Sequence, residues 1–408
     1  MAEDKKVFCI VNPNLKNLLG HYFEYVHSLM EAVGKKGYEF LVLASTEAEP
    51  TVMEKLPAKK AFSREIWHAN PLLLLTPFGR KINTLIENII FYRIIRRTLH
   101  ESTVNPGWVV FCDSLCHNQM LAWAWWFRAL PLERRPRLIL LFRYGSVMFD
   151  WWSDQKTMAK AFSMLKEADI DGRLSLFSDS SRLAGEYSRF TDIPIRVAPI
   201  PHTMHPALNS DGASENVLSR PLRLASLGGA RDEKGYLEII DAINILKERR
   251  LLEKFDFVLQ TNGAAPELLK ATQNLEAANL RNVRFIHDTL SSQDYYELVR
   301  SADVILLPYW RSIYAARTSG ILTEALAAGK PVIATEDTWM SDQLTAYDTG
   351  LTCKDRNPKD IVRAIIEAES RRNEIMSKAC NAKERWLKDH NPDALMDALL
   401  NPSRSASA

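Results

Sequence analysis

Short apolar runs of β-forming residues alternate with helical stretches along this chain, and that alternation is what a parallel sheet covered by helices requires. The first run, Val7 to Pro13, is apolar until Asn and Pro end it, as a strand buried on both faces should be. From His21 the apolar residues Tyr22, Tyr25, Val26, Leu29, Met30 and Val33 fall at helical steps, and Gly34 and Gly37 close the segment before a second run, FLVLAS. Further strands are expected at 108–112, 137–142, 174–178 and 195–200, with helical sequence between them.

The pattern lapses over 201–221, a Pro-, Ser-, Asn- and Asp-rich stretch without periodicity, and then starts afresh. New strands are expected at 222–227, 255–261, 283–286, 303–309 and 331–335. With 408 residues the chain is too long for one comfortable core, so the reading is two α/β units. Their expected bounds are a first domain over 1–200, a linker over 201–221, a second domain over 222–380, and a closing segment over 381–408. In that closing segment, an amphipathic helix over about 375–400 crosses back to the first domain, ahead of a polar tail. Five cysteines, Cys9, Cys112, Cys116, Cys353 and Cys380, are an odd number scattered through the chain, which argues against a disulfide framework. Together with the charged start and the lack of an apolar span of ~20 residues, this predicts a cytoplasmic protein. A net charge of +2 gives no global pull toward nucleic acid, so any anion site must be local.

In open parallel sheets ligands bind beyond the carboxyl ends of the strands. After the strand at 222–227 come Gly228 and Gly229, which let backbone approach a ligand, then Arg231 and Lys234 as fixed positive charge, then a helix start near Gly235. This outlines a diphosphate site, although a glycine turn beside a solvated charge cluster has the same composition. After the strand at 303–309, a loop carries Arg311, Tyr314 and Arg317, and Thr318, Ser319 and Gly320 lead into a helix bearing Glu324 that stops at Gly329. Amides at such a helix start suit a phosphate, and Glu324 one turn in suits ribose hydroxyls; taken alone it reads first as an exposed helix carboxylate.

These two loops, in this order, resemble the donor-binding domain of glycosyltransferase family 4, the retaining group 1 glycosyltransferases of GT-B fold. The resemblance rests on Ala302-Asp303-Val304 and on the run from Glu324 to Thr335, and it is specific over about 222–350. It implies two Rossmann-like α/β domains whose parallel sheets face each other across a cleft, with Arg231 and Lys234 on the donor diphosphate and Glu324 on the ribose. It implies transfer of a hexose from a UDP- or GDP-sugar, with retention, to a hydroxyl of a glycan or lipid-linked acceptor in polysaccharide or glycoconjugate biosynthesis. No metal or other cofactor is expected. The family's first glutamate, eight positions before Glu324, is replaced by Ala316, so either Arg317 or Tyr314 compensates or the site takes a different sugar. The family's cleft-facing His is replaced by Arg143 and Tyr144. Gly20 stands where relatives carry a glycine-rich loop, which makes it and His21 acceptor-side candidates, with Asp113 after the strand at 108–112 another. A capped helix with an exposed His, and a turn-forming Asp, are the plain alternatives.

Other signals weigh less. Cys112, Cys116 and His117 lack a second ligand pair at zinc-finger spacing, so strand-end packing is expected. Asp169-Ile170-Asp171 resembles the metal-binding DxD of the other glycosyltransferase fold, but it precedes a strand and Gly172 follows, which predicts a surface turn. The aromatic clusters at Trp123, Trp125, Trp126 and Phe127 and at Trp151 and Trp152 read first as core. Residues 78–100 join an Ile/Leu/Phe face to Arg80, Lys81, Arg93, Arg96 and Arg97, the make-up of a helix lying on anionic lipid at the inner face of the cell membrane; a basic helix packed on a domain looks the same. A GT-B-like sugar-nucleotide epimerase and a non-catalytic nucleotide-sugar or glycan-binding protein are the alternative functions, and Ala316 motivates the second.

Overall fold

The computed structural model describes residues 5–18, 21–115, 119–145, 155–201 and 220–401. The chain divides into two compact units, one made of residues 1–201 and 390–408, the other of residues 202–389.

The first unit is built on seven parallel strands: β1 (Val7–Val11), β2 (Glu39–Ser45), β3 (Ala58–Phe62), β4 (Trp108–Leu115), β5 (Arg137–Phe142), β6 (Leu174–Ser178) and β7 (Ile195–Val197), in the spatial order β3-β2-β1-β4-β5-β6-β7. Every residue of β1 is buried, which accounts for its unbroken apolar run. Helix His21–Lys35 lays Val26, Leu29 and Val33 on the sheet. The expected helix over 375–400 is two helices: Arg372–Asp389 belongs to the second unit, and Pro392–Leu400 adds Leu395, Met396 and Leu399 to the core of the first. The break follows from Asn391, whose side chain accepts the Ala394 amide at 2.8 Å, and from Pro392, which starts a helix but cannot continue one. Lys36 pairs with Asp397 at 2.5 Å, and the Arg137 guanidinium donates to the Leu400 carbonyl at 2.6 Å. Trp123 and Trp126 of helix Met120–Ala129 are fully buried, and the Trp126 indole donates to the Leu99 carbonyl at 3.0 Å. The Asp169-Ile170-Asp171 stretch is a turn: Asp169 accepts the Leu174 amide at 2.9 Å, Asp171 pairs with Arg173 at 2.8 Å, and Ile170 points outward. Cys116, His117, Trp151 and Trp152 lie outside the described residues.

The second unit has six parallel strands, β8 (Leu222–Ser226), β9 (Phe255–Gln260), β10 (Val283–Ile286), β11 (Val304–Leu307), β12 (Val332–Thr335) and β13 (Gly350–Cys353), in the order β10-β9-β8-β11-β12-β13. Its core joins the sheet to helices Tyr236–Glu248 and Pro358–Ser370. At the amino edge, buried Asp303 accepts from the Arg223 amide at 2.9 Å and from the guanidinium groups of Arg220 and Arg372, each at 2.7 Å. In both sheets the order turns beside the first strand, between β1 and β4 and between β8 and β11, and such a switch point opens a crevice at the carboxyl ends. The sequence reading lacked β3 and β13, the edge strands next to β2 and β12: β3 carries Lys59 and Lys60, which suit an edge but depress strand propensity.

Candidate active site

At the β8/β11 switch point, two loops converge. Beyond β8 the Gly228 amide donates to Gln260 Oε1 at 2.7 Å and the Ala230 amide to the Asn262 carbonyl at 3.0 Å, which fixes the glycine turn to β9. Arg231 then opens a single 3-10 turn, Asp232–Lys234, that ends at Gly235 with φ +67°. A Cβ on Gly235 would stand 2.1 Å from the Pro308 carbonyl oxygen, so only glycine lets this turn close against the end of β11. The close approach brings the first loop onto the second. A Cβ on Gly228 would meet the Lys234 ammonium at 2.8 Å and Ile321, in the first turn of helix Gly320–Ala327, at 2.9 Å.

Three cations gather there. Arg231 donates to the Tyr314 hydroxyl at 3.3 Å, the Arg317 guanidinium sits 5.3 Å from the centre of the same ring, and Lys234 lies 5.8 Å from the ring of buried Tyr309. Burial, and then the charge of Arg231, pull the Lys234 ammonium down to about 8; Glu233 opposes this only in part, and Arg317 adds to it. A buried ammonium set among other cations favours an anion brought alongside it. Ser319 caps the helix by accepting the Leu322 amide at 3.3 Å, and the amides of Gly320 and Ile321 precede the first intrahelical bond. Of the second loop's cations, Arg311 turns away: it pairs with Asp337 at 3.0 Å on the surface.

Glu324 is not an exposed helix carboxylate. It is 8% exposed, and the hydroxyl of Tyr295, from helix Ser292–Ser301, donates to its Oε2. Burial and the adjoining carboxylate hold the Tyr295 phenol well above its usual range. Ala316 is buried nearby in sequence and Thr318 half-buried. Tyr295 and Tyr309 escaped the sequence reading; the only signal for Tyr309 was its place at the end of a strand.

The first unit also gathers polar side chains at its carboxyl edge. Asp113 is not in a turn: β4 continues to Leu115 across an irregularity after Cys112, and Asp113 is fully buried within it. Burial pushes its carboxyl up to about 6 against the pull of Arg143. Asn12, just past β1, donates to Asp113 Oδ2 at 2.9 Å, and Oδ1 has no hydrogen-bond partner among the described residues. The Arg143 guanidinium lies 3.9 Å over the Tyr25 ring and 3.6 Å from Asp179. The Tyr144 hydroxyl meets that of Tyr22 at 3.2 Å, Tyr22 also accepts from Asn14 at 2.8 Å, and Trp67 packs edge-on against the Tyr144 ring at 4.3 Å. Of the other acceptor-side candidates, Gly20 lies outside the described residues, and His21 starts its helix with a side chain outside them.

Residues 213–385, which include the whole cationic cluster, match the family model of the glycosyl transferases group 1. No curated protein matches the chain. Solved structures match it nearly end to end. The chain is similar to a glycosyltransferase from Rickettsia africae (14% identity, 98% of this chain and 99% of that one, TM-score 0.67). It is also similar to HepE of Anabaena in complex with UDP (12% identity, 98% and 100%, TM-score 0.66). A third is the sucrose-phosphate synthase of Thermosynechococcus elongatus (14% identity, 99% and 100%, TM-score 0.64). At such identities the likeness establishes the fold: two parallel α/β sheets of the GT-B type.

Proposed function

We propose that this chain is a retaining hexosyltransferase that moves a sugar from a UDP- or GDP-sugar to a hydroxyl of a glycan or lipid-linked acceptor in the cytoplasm. The observation that carries the reading is the gathering of Arg231, Lys234 and Arg317, with Lys234 against Gly228 and beside Ile321 at the start of helix Gly320–Ala327 and the two arginines on Tyr314, inside the stretch matched by the group 1 family. As the bond from the anomeric carbon to the donor phosphate breaks, charge develops on the leaving diphosphate. Arg231, Lys234 and the amides at Gly320 and Ile321 stabilise that charge, so no metal is needed. The acceptor oxygen forms the new bond on the same face, and its proton passes to the departing phosphate. Glu324 accepts from the ribose in place of, or together with, the Tyr295 hydroxyl. Arg317 and Tyr314 take the sugar-facing role that Ala316 cannot fill, and Asp113, Arg143 and Tyr144 orient the acceptor.

Calorimetric binding of UDP, GDP and ADP in EDTA, followed by sugar release from the matching sugar nucleotides, tests the reading. Metal-free binding of one nucleotide with slow release of free sugar supports it, and binding of none of them overturns it.

A further inference from the structure

In the first half of helix Pro77–Thr98 the usual arrangement of a surface helix is inverted. Its buried positions include Asn83, Thr84, Glu87 and Asn88, while Leu85 and Ile86 are exposed. Each of these side chains makes at least one hydrogen bond or ion pair, Thr84 through the Arg80 carbonyl at 3.0 Å, and Asn83 Nδ2 alone has no partner among the described residues. Asn83 accepts the Asn70 amide at 2.9 Å, Asn88 accepts the Ala122 amide of the next helix at 2.9 Å, and Glu87 binds Arg64 at 2.5 Å and His68 at 3.0 Å. Polar anchors therefore hold the first half of the helix down and leave its apolar residues to face out, while Phe91 and Ile95 bury the second half. Phe78, Ile82, Leu85 and Ile89 follow one another at four-, three- and four-residue steps along that outer side, with Ile82 and Ile89 half-buried.

The stripe ends in an apolar tip. Leu72, Leu75 and Phe78 are 77%, 76% and 74% exposed within seven residues. The tip is held in shape: Asn70 caps the short helix Pro71–Leu74, Thr76 accepts the Gly79 amide at 3.0 Å, and a Cβ on Gly79 would stand 2.2 Å from the Leu73 carbonyl oxygen. Three large apolar side chains on a fixed tip form a patch that water alone does not explain. The exposed charges of the helix, Lys81, Arg93, Arg96 and Arg97, are all positive, and its single carboxylate, Glu87, is buried in its ion pairs. An apolar stripe flanked by cations alone complements an anionic lipid surface, where tails receive Leu and Phe and headgroups receive Arg.

We propose that the first unit docks peripherally on an anionic bilayer, with Leu72, Leu75 and Phe78 inserted and helix Pro77–Thr98 lying along the headgroups. Among the described residues no helix is long and apolar enough to cross a membrane, and the contact proposed lies in the interface. The segment that carries the tip is tied to the polar cluster at the same edge of the sheet. Asn14 accepts the Ile66 amide at 3.0 Å, and Trp67 packs on Tyr144. On the glycosyltransferase reading, which this step alone rests on, a lipid-anchored acceptor would be delivered to Asp113 and Tyr144 from the surface the tip enters.

Co-sedimentation of the full chain with vesicles of phosphatidylcholine, with and without phosphatidylglycerol, tests the docking with no donor or acceptor present. A failure there leaves nucleotide binding, measured separately, untouched. The wild type is expected to bind the anionic vesicles more tightly. The triple variant Leu72→Ser, Leu75→Ser, Phe78→Ser should bind both compositions about tenfold more weakly or worse while still binding nucleotide. Arg93→Gln, Arg96→Gln and Arg97→Gln should each remove roughly fivefold, and only from the anionic increment. Should the triple variant fail to fold, Leu72→Ser alone keeps the test open. The proposal is overturned if the wild type ignores both vesicles or if the folded tip variants bind like the wild type. It is equally overturned if the tip substitutions only dissociate a self-associated form in solution, since the patch would then belong to a second copy of the chain.

Discussion

The carboxyl edges of the two sheets answer burial of charge in opposite ways. In the first unit, Arg143 is set over Tyr25 and beside Asp179, and its charge also bears on Asp113, so cation and carboxylates share one buried neighbourhood. In the second unit, Arg231, Lys234 and Arg317 gather with Glu233 as the carboxylate beside them, and burial, with Arg231 and Arg317 adding to it, depresses Lys234 to about 8. A cation already met by carboxylates suits a neutral, hydroxyl-bearing ligand, whereas a cationic surplus is relieved by an anion. On the proposed reading, the difference puts the acceptor at the first edge and the diphosphate at the second. It also says which substitutions should separate the two tasks.

The largest effect is expected where surplus charge meets the leaving group. Arg231→Ala or Lys234→Met should lower turnover by ~10²–10³-fold, the scale for losing one preorganised donor to a developing anion. Because Lys234 is held charged against burial, Lys234→Met should keep or raise the melting temperature while turnover collapses. Near-normal turnover in both variants would break the assignment of the second edge.

A smaller and differently shaped effect is expected at the first edge. Asp113→Asn keeps the size of the side chain but loses a charged acceptor, which should reduce acceptor-dependent transfer by roughly 10–100-fold, on the scale of a lost charge-assisted hydrogen bond. Nucleotide affinity and the slow release of free sugar should stay within about twofold of the wild type, well under the ~1.4 kcal/mol that a tenfold change represents. The folded carboxyl sits near 6, above its ordinary range, so the cost of its charge is present above pH 6 and is relieved as pH falls through that value. Melting temperature compared at pH 7.5 and pH 5 should therefore rise less on acidification in Asp113→Asn than in the wild type. Equal loss of transfer and nucleotide affinity would erase the contrast between the edges.

How far these assignments were legible in the sequence depends on where each partner lies along the chain. Gly228, Arg231, Lys234 and the Ser319-Gly320 helix start sit within loops whose spacing announces them, and the same loops carried the resemblance to the group 1 family. The Tyr295 hydroxyl on Glu324 was hidden, because it comes from a helix 29 residues upstream and nothing in the local pattern aims a tyrosine at a carboxylate. Asp113 was taken for a strand terminus since Asp disfavours strands, but an irregularity after Cys112 carries β4 past it. Asp303 belongs to the family's Ala-Asp-Val run, yet its partners Arg220 and Arg372 lie 83 and 69 residues away, and they place it at the amino edge in a structural role. For a related reason, the sequence left the outer face of helix Pro77–Thr98 open between a lipid surface and packing on a domain. Periodicity sets apolar residues inward by default, and only loop and neighbouring-helix partners for Asn83, Glu87 and Asn88 reverse that choice.

The subtlest difference between the edges is a proton. A diphosphate placed beside Lys234 supplies the negative charge its surroundings lack, so the bound complex should hold that lysine protonated to a higher pH than the free protein does. Below pH 8 the ammonium is already charged and binding needs no proton. Above pH 8 the free lysine is largely neutral, and each binding event must take one up. Nucleotide affinity in the wild type should therefore weaken by up to about tenfold per pH unit above 8, and calorimetry at pH 9 in buffers of different ionisation enthalpy should report uptake approaching one proton. Lys234→Met should bind more weakly throughout and lose that dependence, while Asp113→Asn should retain it in full. A wild-type affinity that is flat from pH 7 to pH 9.5 would mean that the anion is held by Arg231, Arg317 and the helix amides without help from Lys234.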